Sequence, residues 1–279
     1  MSIIDRNEFN LIPTICCWYD LLGYGTPFIE SSWDLRNPKC IENYKRIDQI
    51  GSWGWGYLSL PFGPRMVLND GIAACLDVPS DLSKAYEFLC YFESIIFDYN
   101  SIRTIDERSG YPGVRGVISC GDRYEYDTND TSVVFSPFEP EEGRTCFYHP
   151  REFQMNTAFS KAFIMEESGK KAGVSGSNLY VDRNTFSLID DLLKKCDGEV
   201  KLESSETSII YTLLYKKAWF ATIDFYPDTV QYDAKGIKTE LLRFKKIDSL
   251  PEQQSKEAAY QQAVRFSLME KYAEENGEY

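Results

Sequence analysis

Two aspartates lie in short motifs that suit the binding of divalent cations. Asp20 follows an apolar run in Tyr-Asp-Leu-Leu-Gly, and Asp70 lies in Leu-Asn-Asp-Gly. Two carboxylates at adjacent strand ends can hold two such ions, of which one lowers the pKa of an attacking hydroxyl group and one neutralises charge on phosphates. Each aspartate also has a simpler interpretation, since aspartate is common in turns and Asp-Gly is itself a hairpin signal. We favour the metal role because the two motifs occur together.

The segments around these aspartates are predicted to be strands that meet at one end of a sheet. Residues 12–19 are apolar and aromatic and precede a glycine-containing turn, which predicts a buried strand that ends at Asp20. Residues 65–68 and 72–76 are apolar runs around Asp-Gly, so we predict a hairpin with Asp70 in its turn. Between them, residues 30–50 suit a helix with a break or fresh start at Pro38, and residues 51–64 suit a loop.

The remaining pattern predicts an α+β fold with a β-rich C-terminal part. A helix capped by Ser80 or Asp81 should run to residue 106, followed by a strand at 114–120, a helix at 153–167, a strand at 178–181 and a helix at 185–195. Residues 200–247 are β-rich, and a charged helix is predicted at 251–275. We predict a core over residues 1–197 and an extension over 198–279 that packs on the same domain.

Composition restricts the class of partner. The 279-residue chain has a net charge of −13, which argues against binding DNA or RNA through its phosphates, although a single nucleotide can be met locally by Mg²⁺ and backbone amides. The eight cysteines form no C-x-x-C pair and there is one histidine, so we expect free thiols in a reducing cytoplasm and no structural zinc. Because no run of about 18 apolar residues occurs, we expect no membrane partner.

Four motifs, taken in order, resemble those of the class III nucleotidyl cyclases. They are residues 19–24 (Tyr-Asp-Leu-Leu-Gly-Tyr), 68–72 (Leu-Asn-Asp-Gly-Ile), 115–121 (Arg-Gly-Val-Ile-Ser-Cys-Gly) and 155–158 (Met-Asn-Thr-Ala). The resemblance spans about residues 12–185, and in the third motif the inner glycine is displaced by one position. It implies a ferredoxin-like core with an antiparallel-rich central sheet flanked by helices. The activity that it implies is cyclisation of a nucleoside triphosphate.

The resemblance also implies which residues hold the metal ions and the triphosphate. Asp20, Asp70 and the carbonyl of Leu21 would bind two Mg²⁺ or Mn²⁺ ions. The loop after Asp20 would cradle the phosphates through the amides of Leu22, Gly23, Tyr24 and Gly25.

Further roles follow from the later motifs. Asn156 would orient the ribose, Lys161 and Arg115 would meet phosphate charge, and His149 occupies a base-reading position. In the family the site lies between two head-to-tail subunits, so Asn156 and Lys161 would reach across from a second copy of the chain. Simpler readings stay open for each: a satisfied structural arginine, a polar helix-start asparagine, a solvated lysine and a loop histidine.

Two departures from the purine cyclases narrow the expected substrate. Ser160 occupies the position of their transition-state arginine, and the adjacent Lys161 offers a point charge without a bidentate fork. Pro64 replaces the lysine that reads adenine. The motifs are most similar to those of bacterial pyrimidine cyclases of anti-phage signalling. That resemblance implies cyclic UMP or cyclic CMP as product, with UTP favoured, and a separately encoded effector that senses it without stable contact.

Three alternatives stay open from the sequence. Ser160 also fits a catalytically degenerate cyclase-like module that binds a nucleotide or another protein without turnover. A purine cyclase is a further alternative. A palm-type polymerase or dinucleotide cyclase uses similar paired carboxylates, but the chain has no Gly-Gly-Asp/Glu-x-x-Phe-like turn to support it.

Overall fold

The computed structural model describes residues 10–56, 65–125, 133–135, 145–148, 150–251 and 253, which form strands, α-helices and short 3-10 turns. The strands are β1 (Leu11–Leu21), β2 (Arg65–Leu68), β3 (Gly71–Asp77), β4 (Val114–Tyr124), β5 (Val133–Phe135), β6 (Thr145–Tyr148), β7 (Leu179–Asp182), β8 (Glu199–Ser204), β9 (Ile209–Tyr215), β10 (Ala218–Ala234) and β11 (Ile237–Ser249). The α-helices are α1 (Thr26–Glu30), α2 (Pro38–Gly56), α3 (Ala85–Arg108), α4 (Thr157–Ser168) and α5 (Asn184–Lys194).

The first four strands form a ferredoxin-like unit. They lie in the order β2-β3-β1-β4 and are antiparallel throughout. Helices α1 and α2 connect β1 to β2, and α3 connects β3 to β4, which gives the β-α-β-β-α-β connectivity of that fold. The predicted α+β class and the predicted hairpin around Asp70 are confirmed.

The C-terminal strands extend the same sheet. β7 pairs in parallel with β4, and β11, β10, β9 and β8 follow outward as antiparallel neighbours, giving nine strands in all. The β-rich character predicted for residues 200–247 is therefore confirmed. Strands on both sides of the predicted boundary at residue 197 belong to this one sheet, and the boundary itself stays a prediction.

Both faces of β1 are buried. Cys17 and Tyr19 pack with α3, whereas Cys16 and Trp18 pack with α4. Burial on both faces explains why the strand reads as a continuous apolar run rather than as an alternating one. Because side chains alternate along a strand, Asp20 falls on the α4 face with Trp18.

The fresh helix start predicted at Pro38 is confirmed, since α2 begins there, where proline is well tolerated. The helix predicted from residue 30 needs correction, because residues 31–37 lie outside both α1 and α2. Helix α2 also continues to Gly56, so the loop predicted from residue 51 starts too early; a glycine in a helix costs only about 1 kcal/mol, which packing can offset. The rest of that loop and most of the predicted final helix lie outside the described residues.

Among the described residues, no helix combines the length and the apolar character needed to cross a bilayer.

Candidate functional site

The end of β1 lies beside the turn that carries Asp70. Asp20 is opposite Gly71 in the β1–β3 pairing, and the N–H of Leu21 donates to the carbonyl oxygen of Asp70 at 3.1 Å. In the turn, Asn69 has φ 56°, a left-handed conformation that asparagine adopts more readily than most residues. Its side-chain amide donates to Asp70 Oδ1 at 2.8 Å. The fold thus places the two aspartates at one end of the sheet, each partly buried.

The charges around Asp20 favour a bound cation. The pKa of Asp20 is raised to about 7, first by burial and then by the negative charges of Glu166 and Asp70, while Arg115 lowers it. Desolvation and like-charge neighbours both disfavour the ionised carboxylate, and a divalent cation would offset both. The residues at this position therefore fit such an ion.

Side chains alone do not complete a metal site in the part of the chain that the structure describes. No group of three or more His, Cys, Asp or Glu residues suited to a metal ion was found there. Magnesium commonly keeps several waters and takes one or two carboxylates together with substrate phosphates. Asp20 and Asp70 match that smaller ligand set, and the carbonyl of Leu21, which accepts from the Tyr24 N–H at 3.3 Å, retains a second lone pair.

A glycine after Asp70 is required by the packing of Trp18. A Cβ atom on Gly71 would lie 2.0 Å from the Trp18 ring. The ring, 6% exposed, extends from β1 across β3 and makes an edge contact with Phe163 on α4 at 5.2 Å between ring centroids. Gly71 therefore allows the Asp70 turn to approach β1 closely.

A buried ion pair holds the loop that follows Asp20. Arg46 on α2 donates from Nε and Nη2 to the two carboxylate oxygens of Asp106 on α3, each at 2.8 Å. Arg46 Nη2 also donates to the carbonyl of Leu22 at 3.3 Å. Asp106 accepts from the N–H of Gly113 at 3.0 Å, and the carbonyl of Gly113 accepts from the N–H of Leu22 at 3.0 Å. The position of Leu22 is thereby tied to two helices.

These bonds bear on one expectation about the loop. The N–H of Leu22 donates to Gly113 and that of Tyr24 donates to Leu21, so these two amides are already used within the chain. The phosphate role of these two amides stays a prediction that would require them to exchange or share those partners. The amides of Gly23 and Gly25 stay candidates; Gly23 has φ 71°, a conformation that suits glycine.

Arg115 is bound by a carboxylate that the sequence analysis missed. It lies directly opposite Asp20 in the β1–β4 pairing, yet its Nε donates to Oε1 of Glu166 on α4 at 2.6 Å. Glu166 is buried, and its pKa is raised by burial and lowered by Arg115. The sequence did contain an indication of this carboxylate, because Glu166 follows Ala158 and Ala162 at four-residue spacing on the buried stripe of α4. An acidic residue on that stripe requires a partner.

The side chain of Asn156 is used within its own chain. Its Oδ1 accepts from the N–H of Phe159 and caps α4, while its Nδ2 donates to the carbonyl of Glu152 at 2.7 Å. The residue is 2% exposed. The role of Asn156 at a ribose across a subunit boundary stays a prediction, and within this chain its buried amide has the partners named above.

Lys161, also expected to act from a second subunit, is bound within its own chain, as is the neighbouring Ser160. Lys161 is partly buried, and its Nζ donates to the carbonyl of Cys120 at 3.1 Å. Ser160 is exposed, and its hydroxyl donates to the carbonyl of Asn156. His149 and Pro64 lie outside the described residues. The phosphate role of Lys161 and the base role of His149 stay predictions.

Comparisons with known proteins give weak structural similarity only. No protein-family model and no curated protein matches the chain. Among solved structures, it is similar to the adenylyl cyclase CyaB from P. aeruginosa (11% identity, TM-score 0.43, 86% of this chain and 96% of that chain). It is also similar to the guanylyl cyclase Cya2 (13% identity, TM-score 0.40, 86% and 95%). A third is the non-canonical dimeric guanylyl cyclase domain of the RhoGC fusion protein from the aquatic fungus Blastocladiella emersonii (12% identity, TM-score 0.33, 75% and 97%). All three TM-scores are below 0.5.

Proposed function

We propose that the chain is a metal-dependent nucleotide cyclase that converts a pyrimidine nucleoside triphosphate, UTP in preference to CTP, to its 3′,5′-cyclic monophosphate and pyrophosphate. The observation that carries the proposal is the placement of Asp20 beside the Asp70 turn, with a pKa for Asp20 that is raised to about 7. Two partly buried carboxylates that repel each other are stabilised when a divalent cation lies between them.

In the proposed reaction, the ribose 3′-oxygen forms a bond to the α-phosphorus and the bond from that phosphorus to the β-phosphate oxygen breaks. The hydroxyl proton passes to solvent, and pyrophosphate leaves. Bound Mg²⁺ or Mn²⁺ lowers the pKa of the hydroxyl and neutralises phosphate charge. Asp20 and Asp70 would hold the cation, and the amides of Gly23 and Gly25 would donate to the phosphates. The phosphate role of Arg115 stays a prediction, because Glu166 already binds its guanidinium.

The choice of base and the biological role depend on the sequence resemblance. Ser160 and Pro64 replace residues that purine cyclases use, which supports a pyrimidine. The same resemblance supports a head-to-tail homodimer, a role in anti-phage signalling and a separate effector of the cyclic nucleotide. A purine substrate is the first alternative that the experiment must exclude.

The test is incubation of the pure full-length protein with ATP, GTP, CTP and UTP separately, each with Mn²⁺, followed by identification of products by mass spectrometry. We expect cyclic UMP in the largest amount. Asp20→Asn and Asp70→Asn should each lower turnover at least 100-fold, because the neutral amides do not replace the anionic ligands. Asp233→Asn, which changes an exposed aspartate on β10 paired with Lys238, is the matched control. Absence of a cyclic product from all four nucleotides would remove the enzyme proposal.

A second candidate is nucleotide binding without turnover. It is favoured by the burial of Asn156 and by Ser160, which together leave the described chain without the side chains that the family uses on ribose and phosphate. Calorimetric titration with a non-hydrolysable UTP analogue and Mn²⁺ separates the candidates. Tight binding that depends on Asp20, with no product in the assay above, would favour this module over the cyclase.

A further inference from the structure

Two cysteines face each other on the neighbouring strands β1 and β3, which adjoin Asp20 and the Asp70 turn. Cys16 on β1 is directly opposite Cys75 on β3, and their Sγ atoms are 2.8 Å apart. Their side chains are 0% and 1% exposed. The proposed cyclase chemistry uses neither thiol.

The pair also contacts the start of α4. Asn156 Nδ2 lies 3.3 Å from the Sγ atom of Cys16 and 3.6 Å from that of Cys75. The same asparagine caps the helix through its Oδ1. The residue that caps α4 therefore contacts both sulfurs, which lie on the same face of the sheet.

The backbone geometry suits a covalent link. Directly opposite residues on antiparallel strands have Cα atoms about 4.5–5.5 Å apart. Disulfides need Cα atoms about 4.4–6.8 Å apart, so the two strands do not have to move relative to each other. Only a small approach of the sulfurs is required.

We propose that Cys16 and Cys75 are an oxidation site at which a peroxide produces a disulfide between β1 and β3. One thiol loses its proton and attacks the peroxide as the thiolate, so that an S–O bond forms and the O–O bond breaks. The hydroxide that leaves takes up that proton and becomes one water. The second thiol then attacks the resulting sulfenic acid, forming the S–S bond and breaking the S–O bond with release of a second water. In sum, two thiols lose two electrons and two protons, and one hydrogen peroxide becomes two waters.

The edge of the sheet gives access to the pair. Within the described residues, β2 pairs with β3 only from Gly71 to Ala74, so Cys75 pairs with β1 alone. Local opening of a strand with one neighbour requires fewer hydrogen bonds to break than opening of a central strand. Because burial raises the pKa of the Cys75 thiol, little of it is thiolate at neutral pH, and the reaction is slower than at an exposed cysteine.

The disulfide would link residues 59 positions apart in the chain. Closing a loop of that length restricts the unfolded chain, so the oxidised protein should unfold at a higher temperature. It would also fix the pairing of the strands that carry Asp20 and the Asp70 turn. The second consequence rests on the proposed function, whereas formation of the disulfide does not.

The experiment uses the reduced full-length protein, treated overnight with hydrogen peroxide, then denatured and alkylated. Peptide mass spectrometry should show Cys16 joined to Cys75, with a mass two hydrogens below the sum of the two peptides. The unfolding midpoint should rise by several degrees and return after dithiothreitol. None of these readings depends on cyclase activity, so failure of the proposed function would leave them unchanged.

Three variants test the assignment. Cys16→Ala and Cys75→Ala should each abolish the cross-link and the rise in midpoint. Cys17→Ala should keep both, because Cys17 faces α3 on the other side of the sheet. Circular dichroism checks that each variant folds, and fragmentation of the wild-type cross-linked peptide assigns the pairing without any variant. Full alkylation of Cys16 and Cys75 in treated wild-type protein, while the Cys90 or Cys196 peptide is oxidised, would overturn the proposal. A cross-link from Cys17 would do the same.

Discussion

The guanidinium of Arg115 is bound by Glu166, although Arg115 lies directly opposite Asp20 in the sheet. Nε of Arg115 donates to Oε1 of Glu166 at 2.6 Å, and the Glu166 side chain is 5% exposed. Glu166 thus neutralises the arginine that would otherwise be the nearest counter-charge for Asp20. The pKa of Asp20 reflects this arrangement, since Glu166 raises it more than Arg115 lowers it. Among the described residues, the negative neighbours of Asp20 therefore outweigh its positive ones, and a divalent cation would offset them.

Glu166→Gln is expected to destabilise the protein by about 2–4 kcal/mol, because it removes the carboxylate that binds the mostly buried Arg115. Chemical denaturation measured by circular dichroism tests this. The matched control is Glu167→Gln, which alters the adjacent residue and breaks only an exposed pair with Lys235, so its effect should stay below about 0.5 kcal/mol. Equal effects of the two substitutions would contradict a structural role for Glu166 in holding Arg115.

The stability of the metal-free protein should depend on pH through Asp20. Its folded pKa of about 7 lies above the unfolded value of about 3.9, so between them the folded state binds a proton that the unfolded state lacks. The contribution of Asp20 is full below the unfolded pKa and is lost as pH rises through about 7. In EDTA, the free energy of unfolding should therefore fall from pH 5 to pH 8 by about 1–2 kcal/mol more in wild type than in Asp20→Asn, after allowance for partial exposure.

Urea denaturation at a series of pH values measures this difference. Asp233→Asn should follow the wild-type curve, since Asp233 is exposed to solvent on β10. Parallel curves for wild type and Asp20→Asn would show that the pKa of Asp20 is not raised in the folded state.

Addition of metal should stabilise the wild type more than Asp20→Asn or Asp70→Asn. Binding to the folded state raises the unfolding midpoint as the free ion concentration exceeds Kd. Mn²⁺ is therefore expected to stabilise the wild type. Its apparent Kd should be at least tenfold higher for Asp20→Asn and Asp70→Asn. Thermal unfolding across a Mn²⁺ titration at pH 8 provides the measurement. Unchanged apparent Kd in both variants would place the metal elsewhere.

Local signals were enough to predict the first half of the site. The apolar run before Asp20 predicts a strand, and Asp-Gly predicts the hairpin of Asp70; each depends only on neighbouring residues. Their meeting at one end of the sheet follows from the topology that the resemblance implied. The order of β2, β3, β1 and β4 bears this out.

The second half of the site depends on contacts between distant segments. Arg115 and Glu166 are 51 residues apart, and no short pattern couples them. For Asn156, the sequence allows both a helix cap and a ribose ligand, and only the structure shows the cap, with burial against β1 and β3. The amides after Asp20 show the same limit, because the partner of Leu22 is Gly113 on another segment.

Arg46→Met should cost about 3 kcal/mol or more in the free energy of unfolding. The substitution keeps the side-chain volume but leaves Asp106 buried without its counter-charge. Lys45→Met, which removes an exposed partner of Glu42 on the same helix, is the control and should cost less than about 0.5 kcal/mol. Urea denaturation of the three proteins tests the comparison. A cost for Arg46→Met no larger than that for Lys45→Met would mean that the pair does not hold the loop after Asp20.

Gly71→Ala should disturb the site through packing alone. The new Cβ would lie 2.0 Å from the Trp18 ring, and Trp18 has little room to move because it lies between the sheet and α4. We expect a loss of about 1–3 kcal/mol, as for other cases of overpacking, together with weaker Mn²⁺ binding because the Asp70 turn is displaced from β1.

Gly25→Ala is the control for stability, since no atom lies within 4 Å of the added carbon and its φ of −73° suits alanine. If Trp18→Leu restored the stability of Gly71→Ala, the clash with the ring would be established as the cause. Unaltered stability and Mn²⁺ affinity in Gly71→Ala would instead show that the turn and β1 are not in close contact.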